Sequence, residues 1–439
     1  MKIDRDLMVK AKNDSADDRP KKEGVMENYL AKVFAFLAAG QTKELHNFVV
    51  AEIARENPSA FNTMGYLYDN GLHVPVDAEC AVSWYRKGQE RGCLRAMSNL
   101  AESYFVGKGV SRDVEEGLRL VHEAIDKGLA HAYYILGMHY ADEFDGKEAD
   151  LDQALDCFER GRVAGSEYCT YSLGSMYLDG IGVEKDLNRG IALYIESVEM
   201  GDGFACAELY RVYRDLDNRH EAFKWLEKGV ELGNRDARYE MGLICAKGGA
   251  DPDFRKTSED YFRLAAQQGH ACARGHYGSM LAFGDGPLAQ RNEGFAMMLF
   301  AAEQGISYSQ YEVGFLYMGG CHVLQNYALA RYWLELAAAQ DEPAAMALLG
   351  EIYYFGYGVE EDHARGAEWS RRSAELGDAS GQYFYGEMLR HGDGVAENRG
   401  EALYWLRSSA QKGYAHALKT LEKIGGDVAV EVPLRMVTH

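Results

Sequence analysis

The chain has 439 residues, 47% of them hydrophobic, with 48 glycines, only 7 prolines and a net charge of −21. A single globular core rarely grows this large, so the length predicts either several domains or an extended architecture. The apolar content excludes a chain that is disordered throughout. The strongly acidic balance disfavours binding to nucleic acid or to anionic membranes.

The N-terminal part of the sequence divides into two predicted segments. Residues 1–25 are polar and are predicted to be disordered, with no apolar run of the kind that a signal peptide needs. Residues 26–57 are interpreted as a degenerate capping helix pair, with helices over 26–38 and 45–56. No run of 18 apolar residues occurs in the chain, so we expect no membrane insertion and a cytoplasmic location.

A repeat of about 36 residues fills 58–414. Glycines that would end helices recur at this spacing, as at Gly269, Gly305, Gly377 and Gly413, with Asp341 in the one gap. A second series, in the same register, places a small residue at the centre of nearly every repeat. All five tryptophans fall at one further repeat position, namely Trp84, Trp225, Trp333, Trp369 and Trp405. Aligned series of this kind predict about ten stacked helix–turn–helix units.

Each unit is predicted to contain two helices joined by a short loop. Gly-x-Gly-Val sequences such as 107–110 and 356–359 supply the positive-φ positions that end a first helix. Acidic or amide residues then stand where a helix needs a side chain to cap its amino end. These predicted caps are Asp77, Asp113, Asp150, Asp186, Asp362 and Asn398.

Three units depart from this pattern. The fifth has only 32 residues and a short loop over 215–220, without glycine. The third has an acidic loop over 142–150, and in the sixth a different loop is predicted over 248–257. After the repeats, 415–425 is predicted to be a C-terminal capping helix and 426–439 an extended tail that contains Pro433.

The sequence offers little catalytic chemistry. Its eight cysteines form no CxxC pair and occupy different repeat positions, so scattered thiols are favoured over a disulfide ladder or a zinc site. No HExxH, GxSxG or GxxxxGK[ST] motif occurs. We therefore predict a non-catalytic protein with neither cofactor nor metal.

The unit resembles the SEL-one-like repeat, which is related to the tetratricopeptide repeat. The pattern is a small residue five positions before Gly, then Tyr, Gly-x-Gly-Val, Asp, Ala-x-x-Trp and a final Gly. Residues 186–201 and 401–413 match it closely. The resemblance implies an all-α fold, a right-handed α/α superhelical solenoid of about ten repeats. It also implies a scaffold for protein complexes that binds a partner protein or peptide in its concave groove.

The same resemblance leaves two alternatives open. Some bacterial members are immunity or adaptor proteins for a secreted effector toxin. A cysteine-rich bacterial branch is associated with β-lactam binding and has a regular disulfide in each repeat, which this chain's cysteine positions do not reproduce.

By analogy with tetratricopeptide proteins, first-helix residues line the groove. They lie six and three residues before the central small residue, and one, four and five after it. The candidate partner-binding residues at these positions are Tyr66, Phe105, Tyr134, Met138, Tyr168, Tyr171, Arg211, Arg214, Tyr239, Phe283, Tyr308, Tyr311, Phe315, Tyr354, Phe355 and Tyr383.

Packing competes with binding at several of these positions. The tyrosines at the −3 position recur in this repeat, and for them packing between units is favoured over binding. For Phe283, Phe315, Tyr354 and Phe355 the two interpretations are equally weighted. Arg211 and Arg214 lie about one helical turn apart and suit either an acidic segment of a partner or ion pairs within the chain.

Overall fold

The structure is a computed structural model that describes residues 29, 32–33, 35–36, 41–142, 149–248, 252–320 and 323–424. Within these ranges the chain forms 22 helices and no strand. The predicted segments 1–25 and 426–439 lie outside the described residues. The chain divides into two compact units, unit 1 over Met1–His270 and unit 2 over Ala271–His439.

Unit 1 contains thirteen of the described helices. They are α1 (Thr42–Ile53), α2 (Pro58–Asn70), α3 (Ala78–Glu90), α4 (Leu94–Val106), α5 (Val114–Asp126), α6 (Ala130–Ala141), α7 (Leu151–Val163), α8 (Glu167–Asp179), α9 (Leu187–Glu199), α10 (Gly203–Asp215), α11 (Arg219–Glu231), α12 (Arg235–Ala246) and α13 (Pro252–Gln267).

Unit 2 contains the other nine. They are α14 (Ala271–Ala282), α15 (Leu288–Glu303), α16 (Ser307–Gly319), α17 (Tyr327–Ala338), α18 (Pro343–Phe355), α19 (His363–Glu375), α20 (Ala379–His391), α21 (Arg399–Gln411) and α22 (Ala415–Ile424).

Ten helix pairs run from α2 to α21, which confirms the all-α repeat fold. We call the first helix of each pair the A helix and the second the B helix. Within each unit, an A helix packs on its own B helix and, except between α8 and α10, on the next A helix, and each B helix packs on the A helix that follows. Stacking of this kind is the solenoid arrangement, in which each repeat buries its apolar faces against its neighbours. That α1 and α22 cap the array remains a prediction.

The small residue at the centre of nearly every A helix lets the paired helices approach closely. A Cβ added at Gly174 of α8 would lie 2.6 Å from Cδ1 of Tyr194 on α9. The tryptophan series serves the same packing, because all five rings are buried or half-buried against the core clusters. The structure thus confirms that both series are interior packing positions.

The predicted loop chemistry is confirmed at the residues that carry it. Gly107 ends α4 with a φ of 75°, and Gly109 follows with a φ of 70°. A Cβ at Gly109 would lie 2.1 Å from the carbonyl oxygen of Ala78, so only glycine fits there. Each of the six predicted caps accepts a hydrogen bond from the backbone N–H three residues later.

The sixth repeat corrects one prediction. The loop predicted over 248–257 is wrong in its second half, because α13 begins at Pro252. Proline suits the first turn of a helix, where its missing N–H has no partner to lose, so it starts this helix instead of extending the loop. In the fifth repeat, by contrast, Asn218 caps α11 after a turn in which Asp217 has a φ of 53°. Of the acidic loop in the third repeat, 143–148 lie outside the described residues.

Candidate functional site

We define the A-helix face as the set of side chains at the five predicted groove positions of the A helices. Because successive A helices within a unit adjoin, equivalent positions of neighbouring repeats lie next to one another. The two units present different surfaces along this face.

In unit 1, four of the candidate residues are buried. Tyr66 is only 5% exposed and belongs to a core cluster with Tyr29, Val33 and Val49. Phe105, Tyr168 and Tyr171 are buried to a similar degree. These side chains stabilise the stack and offer a partner almost no surface.

Three further candidates in unit 1 are half-buried against neighbours. The ring of Tyr134 lies 5.2 Å from that of Tyr168, and Met138 packs against a core cluster. The ring of Tyr239 stacks on that of His270 at 4.3 Å. These contacts support packing as the main role of the −3 tyrosines in this unit.

The two arginines of the fifth repeat are occupied within their own helix. The guanidinium of Arg211 donates to Glu208 at 2.8 Å, and that of Arg214 donates to Asp215 at 3.2 Å. Their charges are therefore already paired, which supports the intramolecular interpretation over an acidic partner segment.

Unit 2 presents exposed aromatic rings on the same face. Phe283, Phe315 and Phe355 are 46%, 41% and 45% exposed. The rings of Phe283 and Phe315 lie 6.2 Å apart, and Phe315 lies 6.5 Å from Tyr311. Phe355 packs edge-on against Tyr354 at 4.9 Å. Aromatic contacts hold these rings in place while leaving much of their surface open.

A buried carboxyl lies beneath part of this face. The hydroxyl of Tyr308 donates to Oε1 of Glu312 at 2.5 Å, and the hydroxyl of Ser279 to the same atom at 2.8 Å. Burial outweighs these two hydrogen bonds and raises the pKa of Glu312 to about 7.

A second carboxyl on this face is that of Glu351, at the groove position directly after the central Gly350 of α18. It is half-buried, and desolvation raises its pKa to about 7. Glu387 occupies the same repeat position on α20, but there the guanidinium of Arg390 lies 2.6 Å from the carboxylate. Sequence spacing places both glutamates on the face, and the arginine three residues after Glu387, where Tyr354 follows Glu351, is the local signal that separates them.

The arrangement suits recognition of a surface more than chemistry on a substrate. In the part of the chain that the structure describes, no group of three or more His, Cys, Asp or Glu side chains could hold a metal ion. The seven described cysteines carry free thiols, and Cys321 lies outside that part. Among the described helices, none is long and apolar enough to cross a membrane.

Comparison with curated proteins finds relatives that share part of the chain. The F-box protein At1g70590 of Arabidopsis thaliana is 32% identical over 114 residues, which are 26% of this chain and 31% of that protein. The uncharacterized protein NMB1327 of Neisseria meningitidis serogroup B is 26% identical over 238 residues, which are 52% of this chain and 47% of that protein. The chain thus spans less than half the length of either relative.

Among solved structures, the chain is similar to c5321, a protective antigen of uropathogenic Escherichia coli strains that displays an SLR fold. The two superpose with a TM-score of 0.56 at 27% identity, over 86% of this chain and 81% of the antigen. This similarity supports the fold that the helix pairs show.

The family model for the Sel1 repeat matches ten stretches, which together cover more than half of the chain. They are residues 62–93, 94–129, 130–161, 168–202, 212–234, 235–270, 275–306, 307–342, 343–378 and 379–414. The matched stretches follow the helix pairs of the structure, including the short fifth repeat. The chain therefore belongs to the Sel1 repeat family.

Proposed function

We propose that this protein is a non-catalytic scaffold that binds another protein or peptide on the A-helix face of unit 2. The observation that carries the proposal is the exposure of Phe315 and Phe355 on adjoining A helices and of Phe283 directly after the end of α14. Sel1 repeat proteins in general mediate protein–protein interaction, which supports the class of function.

The three rings leave a large part of their apolar surface exposed to water. Large apolar side chains that recur on one face mark interaction surfaces, and aromatic residues are enriched at the centres of protein interfaces. The three rings are also restrained by aromatic neighbours, as Phe315 is by Tyr311 and Phe283. A restrained ring loses little conformational freedom on binding, so more of its burial contributes to affinity.

A second apolar surface in unit 2 provides a matched comparison. On the B helix α17, Leu329, Tyr332 and Leu336 are also exposed. Their spacing of three and four residues places them on one stripe of that helix. This stripe has similar chemistry but lies outside the A-helix face.

The test compares two triple variants of the full chain as bait for affinity capture, with mass spectrometry of the bound proteins. We expect Phe283→Ala, Phe315→Ala and Phe355→Ala together to lose the partner that the wild type retains. Leu329→Ala, Tyr332→Ala and Leu336→Ala together should keep it. Circular dichroism must show that both variants stay folded. Loss of the partner with the α17 variant alone would place the binding surface on the B helices instead.

The identity of the partner decides between a general scaffold and a narrower role. We place the protein in the cytoplasm of a bacterium, which fractionation of the native cells would test. Capture of one secreted effector, whose toxicity this chain suppresses, would establish the immunity or adaptor role. The β-lactam alternative predicts turnover of nitrocefin, and we expect none from the purified chain.

A further inference from the structure

The loops that join A and B helices bring aromatic rings together along one edge of unit 2. The Gly-x-Gly-Val loop of the ninth repeat packs on the first residue of α17 in the eighth, because a Cβ added at Gly358 would lie 2.7 Å from Cβ of Tyr327. Tyr357 precedes this glycine, and its ring stacks on that of Tyr327 with the centroids 5.3 Å and the planes 8° apart. The stack joins the two repeats.

The row of rings continues from this stack to the A-helix face. Tyr357 lies 5.5 Å from Phe355, which lies 4.9 Å from Tyr354. Tyr354 in turn stacks on His363, the first residue of α19, at 4.5 Å. We call these rings the edge strip: Tyr327, Tyr357, Phe355, Tyr354 and His363. Phe355 and His363 are exposed and the other three are half-buried, so each ring keeps surface that a ligand can reach.

The equivalent loop contacts of unit 1 are made without aromatic rings. There the first residue of α7 is Leu151, and the loop that packs on it carries Ile181. In the loop over 107–110 the equivalent residue is Lys108, whose ammonium lies 2.6 Å from the carboxylate of Asp69. Aliphatic and charged side chains thus serve the fold at these positions. The packing of the loops therefore does not account for the aromatic row of unit 2.

Several contacts hold the rings of the edge strip in place. Tyr357 packs against a core cluster of the eighth and ninth repeats. The hydroxyl of Tyr354 donates to Oδ2 of Asp393 at 3.0 Å. The hydroxyl of Tyr327 accepts from the side-chain amide of Gln325 at 3.0 Å, which leaves its own proton available to donate to a ligand. Rings restrained in this way lose little conformational freedom on binding.

The loops around the edge strip carry negative charge. Five carboxylates and neither lysine nor arginine occur in the described loop segments 323–326, 356–362 and 392–398. The cationic side chains that adjoin these segments are occupied. Arg365 lies over the ring of Tyr353 at 3.9 Å. The others each lie within 4.0 Å of a glutamate carboxylate: His363, Arg390, His391 and Arg399. The charge around the strip therefore favours a basic ligand.

An extended proline-rich segment matches a row of rings of this kind. Such a segment binds aromatic side chains and loses little entropy on binding, because its polyproline II helix is largely formed beforehand. One turn of that helix rises about 9 Å. Prolines one turn apart can therefore meet alternate rings of a row in which neighbours lie 4.5 to 5.5 Å apart. Binding by addition of a β-strand is disfavoured, since the described residues here form helices and loops and offer no strand edge.

We propose that the edge strip binds a proline-rich segment of the partner that also carries a lysine or arginine. The prolines stack on the tyrosine rings, and the cation faces the carboxylates of the loops. The inference rests on the proposed function, because Phe355 belongs both to the edge strip and to the exposed phenylalanines of the A-helix face. It adds the chemistry of the bound segment and extends its path onto the loop edge.

The test compares the full chain with a variant that keeps the packing of the loop. Tyr327→Leu with Tyr357→Ile installs the pair that unit 1 has at Leu151 and Ile181, so we expect the variant to stay folded. Twelve-residue peptides displayed on phage, with no position fixed, are selected on the wild type and on the variant. The wild type should enrich prolines three residues apart together with lysine or arginine, and the variant should lose this enrichment.

The affinity of an enriched peptide is then measured by fluorescence anisotropy. Tyr327→Leu with Tyr357→Ile should weaken binding by about tenfold or more, because two stacking rings are lost. The matched control is Tyr332→Leu with Tyr404→Leu, which replaces two exposed tyrosines on the B helices α17 and α21. We expect the control to change the affinity by less than about twofold, since both rings lie outside the strip.

A second pair of variants tests the charge. Glu360→Gln with Glu361→Gln should weaken binding of the peptide by about threefold or more, because two of the loop carboxylates are lost. The same change should have almost no effect on a peptide in which glutamine replaces the cation. This double-mutant cycle assigns the interaction to the cation and the loop.

The two proposals fail in different ways. If the native partner is lost with the variant of Phe283, Phe315 and Phe355 but kept by Tyr327→Leu with Tyr357→Ile, the proposed function stands and the edge strip is wrong. If both variants keep the partner, both proposals are wrong. Selected peptides without enriched proline, including helical ones that need the same rings, would also overturn the strip.

Urea titration and circular dichroism separate these results from unfolding. Should the double variant unfold, Tyr357→Lys takes its place, because unit 1 carries Lys108 at the equivalent position. It removes the ring and repels the cation, so we expect it to weaken binding by about tenfold or more. Unchanged binding to this folded variant would contradict the role of the edge strip.

Discussion

Tyr66 in unit 1 and Phe315 in unit 2 occupy the same position of the repeat, yet their environments are opposite. Tyr66 is 5% exposed within a cluster that also contains Tyr29, Val33 and Val49, whereas Phe315 is 41% exposed. The backbone around each residue is alike, an A helix beside its own B helix. The repeat therefore fixes where a side chain points, while the neighbouring segments decide whether it packs or stays available.

Replacement of these two residues by alanine should lower the free energy of unfolding by very different amounts. Tyr66→Ala should lower the free energy of unfolding of unit 1 by about 3–4 kcal/mol, because it empties a ring-sized volume in a closed core. Phe315→Ala should cost unit 2 about 1 kcal/mol or less, since solvent already reaches the ring. Urea denaturation followed by circular dichroism measures both. Equal losses would show that Phe315 is a packing residue like its counterpart.

Replacement of an equivalent turn glycine should cost the same stability in both units, because both units share the same repeat backbone. Gly109 and Gly394 have φ values of 70°, and a Cβ at either would lie 2.1 Å from a backbone carbonyl oxygen. We expect Gly109→Ala and Gly394→Ala each to cost about 3 kcal/mol, from the positive φ and the clash together. Gly92→Ala is the control, because its φ is also positive but no atom lies within 4 Å of the added Cβ. It should cost about 1 kcal/mol. A cost as large as that of Gly109→Ala would show that the steric clash contributes nothing.

Replacement of Glu351 should increase folding stability, by less than the glycine substitutions lower it. Its folded-state pKa is raised from 4.5 to about 7, so its charged form disfavours folding as pH rises through that interval. Glu351→Gln should therefore leave stability nearly unchanged at pH 4 and increase it by about 2 kcal/mol at pH 8. Glu387→Gln should instead lose a fraction of a kcal/mol at pH 8, because it breaks an ion pair with Arg390. Urea titrations at the two pH values decide the matter, and a gain at pH 4 as large as at pH 8 would contradict the role of charge.

The smallest effect is expected at Arg214. Its side chain is exposed, and its ion pair joins it to the adjacent Asp215. Arg214→Gln should change the free energy of unfolding by less than about 0.5 kcal/mol. It should also leave partner capture unchanged, since the proposed surface is in unit 2. Loss of the partner would return the fifth repeat to the candidate site.

The sequence predicts the helix pairs and their turns well, because these depend on local chemistry. Helix caps such as Asp362, terminal glycines such as Gly107 and the central small residues each act within a few residues, so their spacing is sufficient. The sequence mispredicts the start of α13, because its pattern assigns Pro252 to a loop although proline is also a good first residue for a helix.

The candidate site is only partly predictable for the opposite reason. Burial of Tyr66 depends on residues as distant as Tyr29. The pairing of Glu387, by contrast, is visible locally, because Arg390 follows it by three residues where Tyr354 follows Glu351. Repeat position places all of these side chains on or near one face, but no local pattern states which of them are covered. Partner binding by this face stays a prediction until the variants are measured.

The central glycines, the helix caps and the αL residues have a consequence for how such proteins diverge. They confine the constraints of folding to a few places in each repeat, and none of the exposed phenylalanines is among them. Drift at a position such as Phe315 or Phe355 therefore leaves the architecture intact while altering the chemistry that a partner meets. A lineage can acquire a new specificity here by one or two substitutions in a single repeat. No earlier stabilising substitutions are needed.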